Sequence, residues 1–340
     1  MSRGPNTSEP LWPVRYKPCE DELLSSWLTR LAHGMGLKVQ TLCNLEFGSR
    51  RQVWNRDIDR LAPPWLLETL CRRTGTSREA AEQTTLRAYE GTFYRKYRAS
   101  GTLPWMLALQ MYHRRWTGYG LQFCPACLAD GDACYYRRSW RVALHTVCLK
   151  HQCLLLDRCP TCQASLAFVR TELGRHEIDE LPGLYCCHSC GCDLRQSCAP
   201  PPPCLDEEAA SWLTALWMEL GRPECKLTSV DNAEVLHVIC TLLTRQRPAL
   251  RLRGYLGDAL GAEPALGGGG RVPIEIRPAV ERHQLLQMAA WVMVDMPGRL
   301  RQALDAHALR YNHLVRDFRQ LPGSYLRAVL TLRRRGVASR

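Results

Sequence analysis

Residues 124–190 read Cys124-Pro125-Ala126-Cys127, twenty residues, Cys148-Leu149-Lys150-His151, seven residues, Cys159-Pro160-Thr161-Cys162, twenty-four residues, Cys187-His188-Ser189-Cys190. Four ligand pairs thus share one spacing, two residues between the members of each. That step lets two donor atoms of one tight turn reach the same tetrahedral ion, with Zn–S bonds of about 2.3 Å. One such pair would mean little. Four with the same spacing predict two zinc ions per chain.

A disulfide framework is the competing use of the cysteines. Met1 to Pro13 holds three prolines and no apolar run, so nothing there resembles a signal peptide. Disulfides are rare in a reducing cytosol, where clustered C-x-x-C pairs more often bind metal, and the expectation is a cytoplasmic protein. Pairing is a separate question. Sequential pairing gives a three-cysteine-one-histidine site (Cys124, Cys127, Cys148, His151) followed by a four-cysteine site (Cys159, Cys162, Cys187, Cys190). Interleaved pairing would resemble a RING cross-brace, but the seven residues after His151 are enough to separate two independent ribbons. Sequential pairing is therefore expected. Cys186, Cys192, Cys198 and Cys204 are left without a role, although Cys186 or His188 could substitute in the second site.

The 340 residues, 46% of them hydrophobic, suffice for about two or three domains with real cores. Every apolar run is far shorter than the roughly 20 residues that span a bilayer, so no membrane partner is expected. The formal net charge is +12. Seven thiolates bound to two Zn2+ would lower it to about +9, which still favours a polyanionic partner such as nucleic acid. Arginine dominates the basic residues, and it is the better side chain for phosphate forks and stacking.

Outward from the metal pattern, the expected fold is mainly α with two small zinc ribbons. Residues 1–18, with four prolines, read as a flexible arm. Residues 19–120 form an N-terminal helical domain. Leu23, Leu24, Trp27, Leu28 and Leu31 recur at helical spacing within Glu20 to His33, and Glu20, Asp21 and Glu22 suit the positive end of the helix dipole. Gly34-Met35-Gly36 makes a turn, and a second helix runs from Leu37 to Phe47 with Val39, Leu42 and Leu45 facing inward. Helix, glycine turn, helix is the shape of a helix-turn-helix whose second member would show Lys38, Gln40, Thr41 and Asn44 to a groove; an ordinary helical hairpin fits the spacing equally well. Arg50, Arg51 and Arg56 around Trp54 could line a DNA backbone, although Asp57 and Asp59 dilute that surface. After Pro63-Pro64 a second helical pair is predicted, Trp65 to Arg73 and Ser77 to Tyr89, the latter opened by a Thr76–Glu79 capping box. Phe93 to Arg98 mixes aromatics with Arg95, Lys96 and Arg98, as a base-stacking stretch or a strand edge does. Pro104 to Gly120 is rich in apolar residues, Trp105 and Met106 among them, that pack domains together.

Tandem ribbons occupy 121–198, with Tyr135, Tyr136, Arg137, Arg138 and Trp140 as a strand-like stretch inside the first. A stiff Pro-rich linker, 199–206, follows. Residues 207–340 form a basic helical domain with helices at Glu207–Leu220, Ala233–Leu243, Pro278–Met296 (ended by Pro297-Gly298), Leu300–Phe318 and Tyr325–Leu332. Gly267 to Gly270 marks a break, and Arg333-Arg334-Arg335 reads as a solvated tail.

Two stretches together resemble the TniQ family (TniQ- and TnsD-like proteins). The first is Pro18, Asp21, Glu22, Leu23, Ser26, Trp27, Leu28, Arg30, Ala32 and Gly36. The second is Cys124-Pro125, Cys127, Tyr136, Arg138, Trp140, Cys148, His151, Leu155, Cys159-Pro160, Cys162, Leu166, Cys187, Cys190 and Gly191. The likeness covers residues 13 to about 195, and the Ser-Trp-Leu-x-Arg helix combined with the metal pattern makes it specific. It implies an N-terminal helix-turn-helix region, zinc ribbons and helical C-terminal parts. By this likeness the eight paired residues are structural ligands, which leaves no open position for a catalytic water.

The implied role is that of a non-catalytic target-selection adaptor of a bacterial transposition system. Its partners would be target DNA or an RNA-guided CRISPR effector complex, the AAA+ ATPase regulator that it recruits, and a second copy of itself as a homodimer. Arg30, Arg137 and Arg138 join the candidate contacts named above. The alternatives are a zinc-containing DNA-binding transcription regulator and, further off, a RING-type ligase or a nuclease. No set of acids and bases in the chain meets the requirements of catalysis.

Overall fold

The structure, a computed structural model, describes residues 10–48, 53, 56–112, 115–172, 181–222, 224–244, 248–262, 272–316, 318 and 320–333. Among these residues it is mainly α, with thirteen α-helices and two two-stranded antiparallel ribbons. The chain forms two compact units. Trp54, Arg50, Arg51, Gly267–Gly270, Arg334 and Arg335 lie outside the described residues.

The first unit comprises Met1–Tyr89, Leu109–Arg141 and Leu156–Ala199. Helices α1 (Leu24–Gly34), α2 (Val39–Phe47), α3 (Ile58–Leu61) and α4 (Pro64–Thr74) build its core. Leu24, Trp27, Leu28 and Leu31 of α1 share that core with Val39, Leu42 and Cys43 of α2 and Leu66, Leu67 and Leu70 of α4. Each such side chain contributes about 1.5–3 kcal/mol when fully buried. Gly36, at φ +68°, turns the chain between α1 and α2, where a side chain would be strained. On α2 the apolar reading needs one correction. Leu45 is 73% exposed and Cys43 is buried in its place, because the inward stripe steps Val39, Leu42, Cys43, Phe47.

Helix α1 begins later than its acids suggested. Glu20, Asp21 and Glu22 precede it and none lies in its first turn. Glu22 instead turns inward to Arg30, with Oε2 2.7 Å from Nη2. Asp21 takes a left-handed conformation, which a short polar side chain tolerates, and receives the Ser139 N–H. The caps of both hairpin helices come from far along the chain. The Ser25 N–H donates to Asp59 Oδ1 at 2.8 Å, and the Val39 N–H donates to Glu172 Oε2 at 2.9 Å. Each carboxylate satisfies an N–H that the helix itself leaves unpaired and meets the positive end of its dipole.

Helix α5 (Arg78–Glu82) is shorter than expected, and its cap is Ser77, whose Oγ accepts the Ala80 N–H. The proposed cap, Thr76, instead lies 2.7 Å from the Thr74 hydroxyl. Beyond Glu82 the Thr84 and Thr85 hydroxyls donate to the Ala81 and Glu82 carbonyls, competing with the helical ladder; only a 3-10 turn, Leu86–Tyr89, resumes. Strands β1 (Met111–Tyr112) and β2 (Arg115–Trp116) pair antiparallel, and helix α6 (Pro125–Ala129) completes the unit's helices.

The second unit comprises Glu90–Ala108, Val142–Leu155 and Pro200–Arg340. It holds the ribbon of β3 (Val147–Cys148) and β4 (Cys153–Leu154) and helices α7 (Glu207–Leu220), α8 (Leu227–Thr244), α9 (Ala249–Leu260), α10 (Ala279–Val294), α11 (Met296–Asp305), α12 (Tyr311–Val315) and α13 (Gly323–Arg333). Helix α10 packs against both α7 and α8. Asp206 caps α7 by accepting the Ala209 N–H at 2.9 Å. Trp105 is fully buried here, its ring N–H donating to the Ala233 carbonyl and its edge set against His237.

Five sequence readings change in this unit. Helix α8 starts six residues before Ala233, and α9 had not been anticipated. Pro297-Gly298 opens α11 rather than ending structure, because proline suits a first turn and Asp295 accepts the Gly298 N–H. The single helix expected from Leu300 to Phe318 breaks near His307, at φ +56°, into α11 and α12. Phe93 to Arg98 forms no strand; Phe93 and Tyr94 are buried at a turn closed by the Gly91 N–H to the Tyr94 carbonyl.

Candidate metal centres

Each ligand pair sits on a short turn whose shape follows from sequence. Cys124 precedes α6 at the position where a following proline is favoured, and its carbonyl accepts the Leu128 N–H. The other three pairs close hairpin-like turns. The residue just after each pair is left-handed: Gln152 at φ +48°, Gln163 at φ +59° and Gly191 at φ +76°. This kink folds the backbone around the pair and aims both side chains the same way. Cys148 and Cys153 face each other across β3 and β4, so His151 lies in the loop of that hairpin.

The pairs gather in sequential order. One ligand atom from each of Cys124, Cys127, Cys148 and His151 lies within 4.8 Å of the others, and the same holds for Cys159, Cys162, Cys187 and Cys190. The interleaved RING arrangement is not what these positions form. Zn–S bonds of about 2.3 Å at tetrahedral angles put two sulfurs about 3.8 Å apart, and a sulfur and an imidazole nitrogen about 3.5 Å apart. The observed separations match: 3.7 Å for Cys159–Cys190, 3.7 Å for Cys162–Cys187, and 3.5 Å from Cys148 Sγ to His151 Nδ1. The donor sets suit zinc and fill all four positions with protein atoms. At the exposed Cys190 the N–H of Cys192 draws the thiol pKa below its ordinary value, whereas burial pushes that of Cys187 in the same cluster up.

On the α1–α2 hairpin, Gln40, Thr41 and Asn44 are exposed on α2, while Lys38 at its start is half-buried. The arginines divide into groups. Arg56 is exposed. Arg30 is held by Glu22 and by the Lys17 carbonyl, Arg95 by both oxygens of Glu234, and Arg138 by Asp21 and Gln83. Arg137 lies over the rings of Tyr135 and Trp140, Lys96 and Arg98 are exposed, and Arg50 and Arg51 fall outside the described residues. In place of the expected strand, Arg137 makes one isolated antiparallel bridge to Glu22 and Arg138–Arg141 forms a 3-10 turn, with Tyr136 and Trp140 buried edge to face.

Residues 13–155 match the TniQ family model. Over that stretch the chain is similar to the TniQ family. A comparison with curated proteins finds no match. The TniQ family is a non-catalytic one that serves target selection in transposition. Among the described residues, no helix is long and apolar enough to cross a membrane.

A charge network within the first unit had no sequence signal. Arg141, fully buried, binds Asp57 and Asp59, and Asp59 also receives the Ser25 hydroxyl and N–H. Burial pushes the Asp59 carboxyl up to about 6, against the pull of the Arg141 guanidinium. In a second such link His33 bonds to Glu172, the cap of α2. These partners are up to 139 residues apart, a distance no local pattern spans. Asp57 and Asp59 were visible only as interruptions in a basic stretch.

Proposed function

We propose that the protein is a target-selection adaptor of a bacterial transposition system, acting in the cytoplasm without catalysis of its own. It engages target DNA or an RNA-guided CRISPR effector complex and recruits the AAA+ ATPase regulator of transposition. The match of residues 13–155 to the TniQ family carries this reading, since that family's role is target selection. Two zinc ions, one in each cluster, are structural: a site closed by four protein ligands contributes folding energy and offers no position for an activated water.

For DNA, the supporting features are the exposed polar face of α2 and the net charge of +12, which favour phosphate contact and a steep salt dependence. The deciding experiment is affinity purification of the tagged protein from its own host, with partners identified by mass spectrometry. Recovery of an AAA+ ATPase with transposase or CRISPR effector subunits is the expected result. Recovery of RNA polymerase without any transposition protein would favour a transcription regulator instead.

A further inference from the structure

A fifth thiol stands beside the second cluster. Cys192 Sγ is 3.3 Å from Cys159 Sγ, and its thiol also lies within hydrogen-bonding reach of Cys190. No ligand pair accounts for it, since it follows Cys190 by only two residues. The backbone holds it there. Gly191, at φ +76°, turns the chain back on itself, and the Cys187 N–H donates to the Cys192 carbonyl at 2.9 Å. Residue 192 is thereby returned to the cluster instead of leading away from it.

Distances decide what the extra thiol can do. Two sulfurs on one tetrahedral zinc lie about 3.8 Å apart, and the Cys159–Cys190 pair, at 3.7 Å, already meets that length. At 3.3 Å from Cys159, Cys192 is too close to be a ligand alongside the other four in this arrangement. A shift of a few tenths of an ångström would give it the separation that Cys190 now has. Cys190 is exposed, as is Cys162, whereas Cys192 is half-buried, and exposed thiolates are the first to meet electrophiles.

We infer that Cys192 is a reserve ligand of the second zinc site, able to replace Cys190 as the fourth thiolate. The inference rests on that cluster being a zinc site. The exchange is balanced without redox chemistry: the Cys192 sulfur binds zinc and releases its proton to solvent, while the Cys190 sulfur leaves the ion and takes up a proton.

The test uses the full-length protein and its Cys190→Ser, Cys192→Ser and Cys190→Ser/Cys192→Ser variants, with Cys198→Ser as a surface control. Zinc per chain is measured directly. The ultraviolet thiolate-to-metal band of the cobalt-substituted protein then reports how many thiolates are bound. The expected result is two metals and an undiminished band in both single variants. The double variant should lose one thiolate from the band and more than the roughly 10–100-fold in metal affinity that loss of an outer-shell partner costs. If Cys190→Ser alone behaves as the double variant does, Cys192 is not a ligand, although the site itself stands. If the unsubstituted protein holds no metal at the second cluster, both the inference and the zinc reading fail.

Discussion

Replacing Arg141 with methionine asks how much of the first unit's stability depends on a buried charge. The Arg141 side chain is 1% exposed, with Nη2 2.5 Å from Asp57 Oδ2 and Nη1 3.2 Å from Asp59 Oδ2. Methionine fills much of the same volume but leaves the buried Asp59 without its cation. Removing one partner of such a pair costs about 3–5 kcal/mol, since the remaining charge is stranded in the interior. At roughly 2–4 °C per kcal/mol for a unit of this size, Tm should fall by about 6–20 °C. The loss should also depend on pH. Asp59 titrates at about 6, above the ordinary 3.8, so its protonation stabilises the fold. That stabilisation is complete below 3.8 and is lost as pH rises through 6. Without Arg141 the folded-state pKa climbs further, so the variant's deficit relative to the parent protein should shrink from about pH 8 to about pH 6.

Thermal melts followed by tryptophan fluorescence in excess zinc measure this deficit. Comparison of the two proteins at each pH cancels the metal loss that acid causes in both. Adding Asp59→Asn to Arg141→Met should recover roughly 0.5–3 kcal/mol, the usual coupling of contacting groups. A Tm within about 2 °C of the parent, or a deficit that does not change with pH, would refute the argument.

Elemental analysis should return two zinc ions per chain, and Cys124→Ser should lower this to one while sparing the second site; simultaneous loss of both would mean that the two sites are interdependent. Substituting Gln40, Thr41 and Asn44 together by alanine should leave the melting curve unchanged, because all three are exposed, yet weaken DNA binding in low salt. Unaltered binding would remove that face of α2 from any DNA contact. Asp206→Ala removes the cap of α7 and should cost about 1 kcal/mol; a cost near zero would show that the Asp206–Ala209 hydrogen bond adds nothing to stability.

The metal pattern was legible because its information is local. Two residues between ligands is a property of one turn, and it stays readable whatever the rest of the chain does. The sequence by itself also determined the bounds of α7, Glu207–Leu220, from the helical spacing of Trp212, Leu216 and Leu220. Where local preference competed with nearby side chains the reading slipped, as at Thr84 and Thr85, which cut α5 short.

Only the tertiary structure decided where the charges go. Arg30 and Arg138 look like free cations in sequence but are bound internally, and Glu22 looks like a dipole partner but is buried against Arg30. The caps of α1 and α2 come from Asp59 and Glu172, which no spacing rule connects to either helix. Likewise, only the fold brings Cys192 back to Cys159, 33 residues away. The physical reason is common to all of these. A hydrogen bond or an ion pair acts over about 3 Å, and which residues come that close is fixed by packing of the whole chain rather than by their neighbours in sequence.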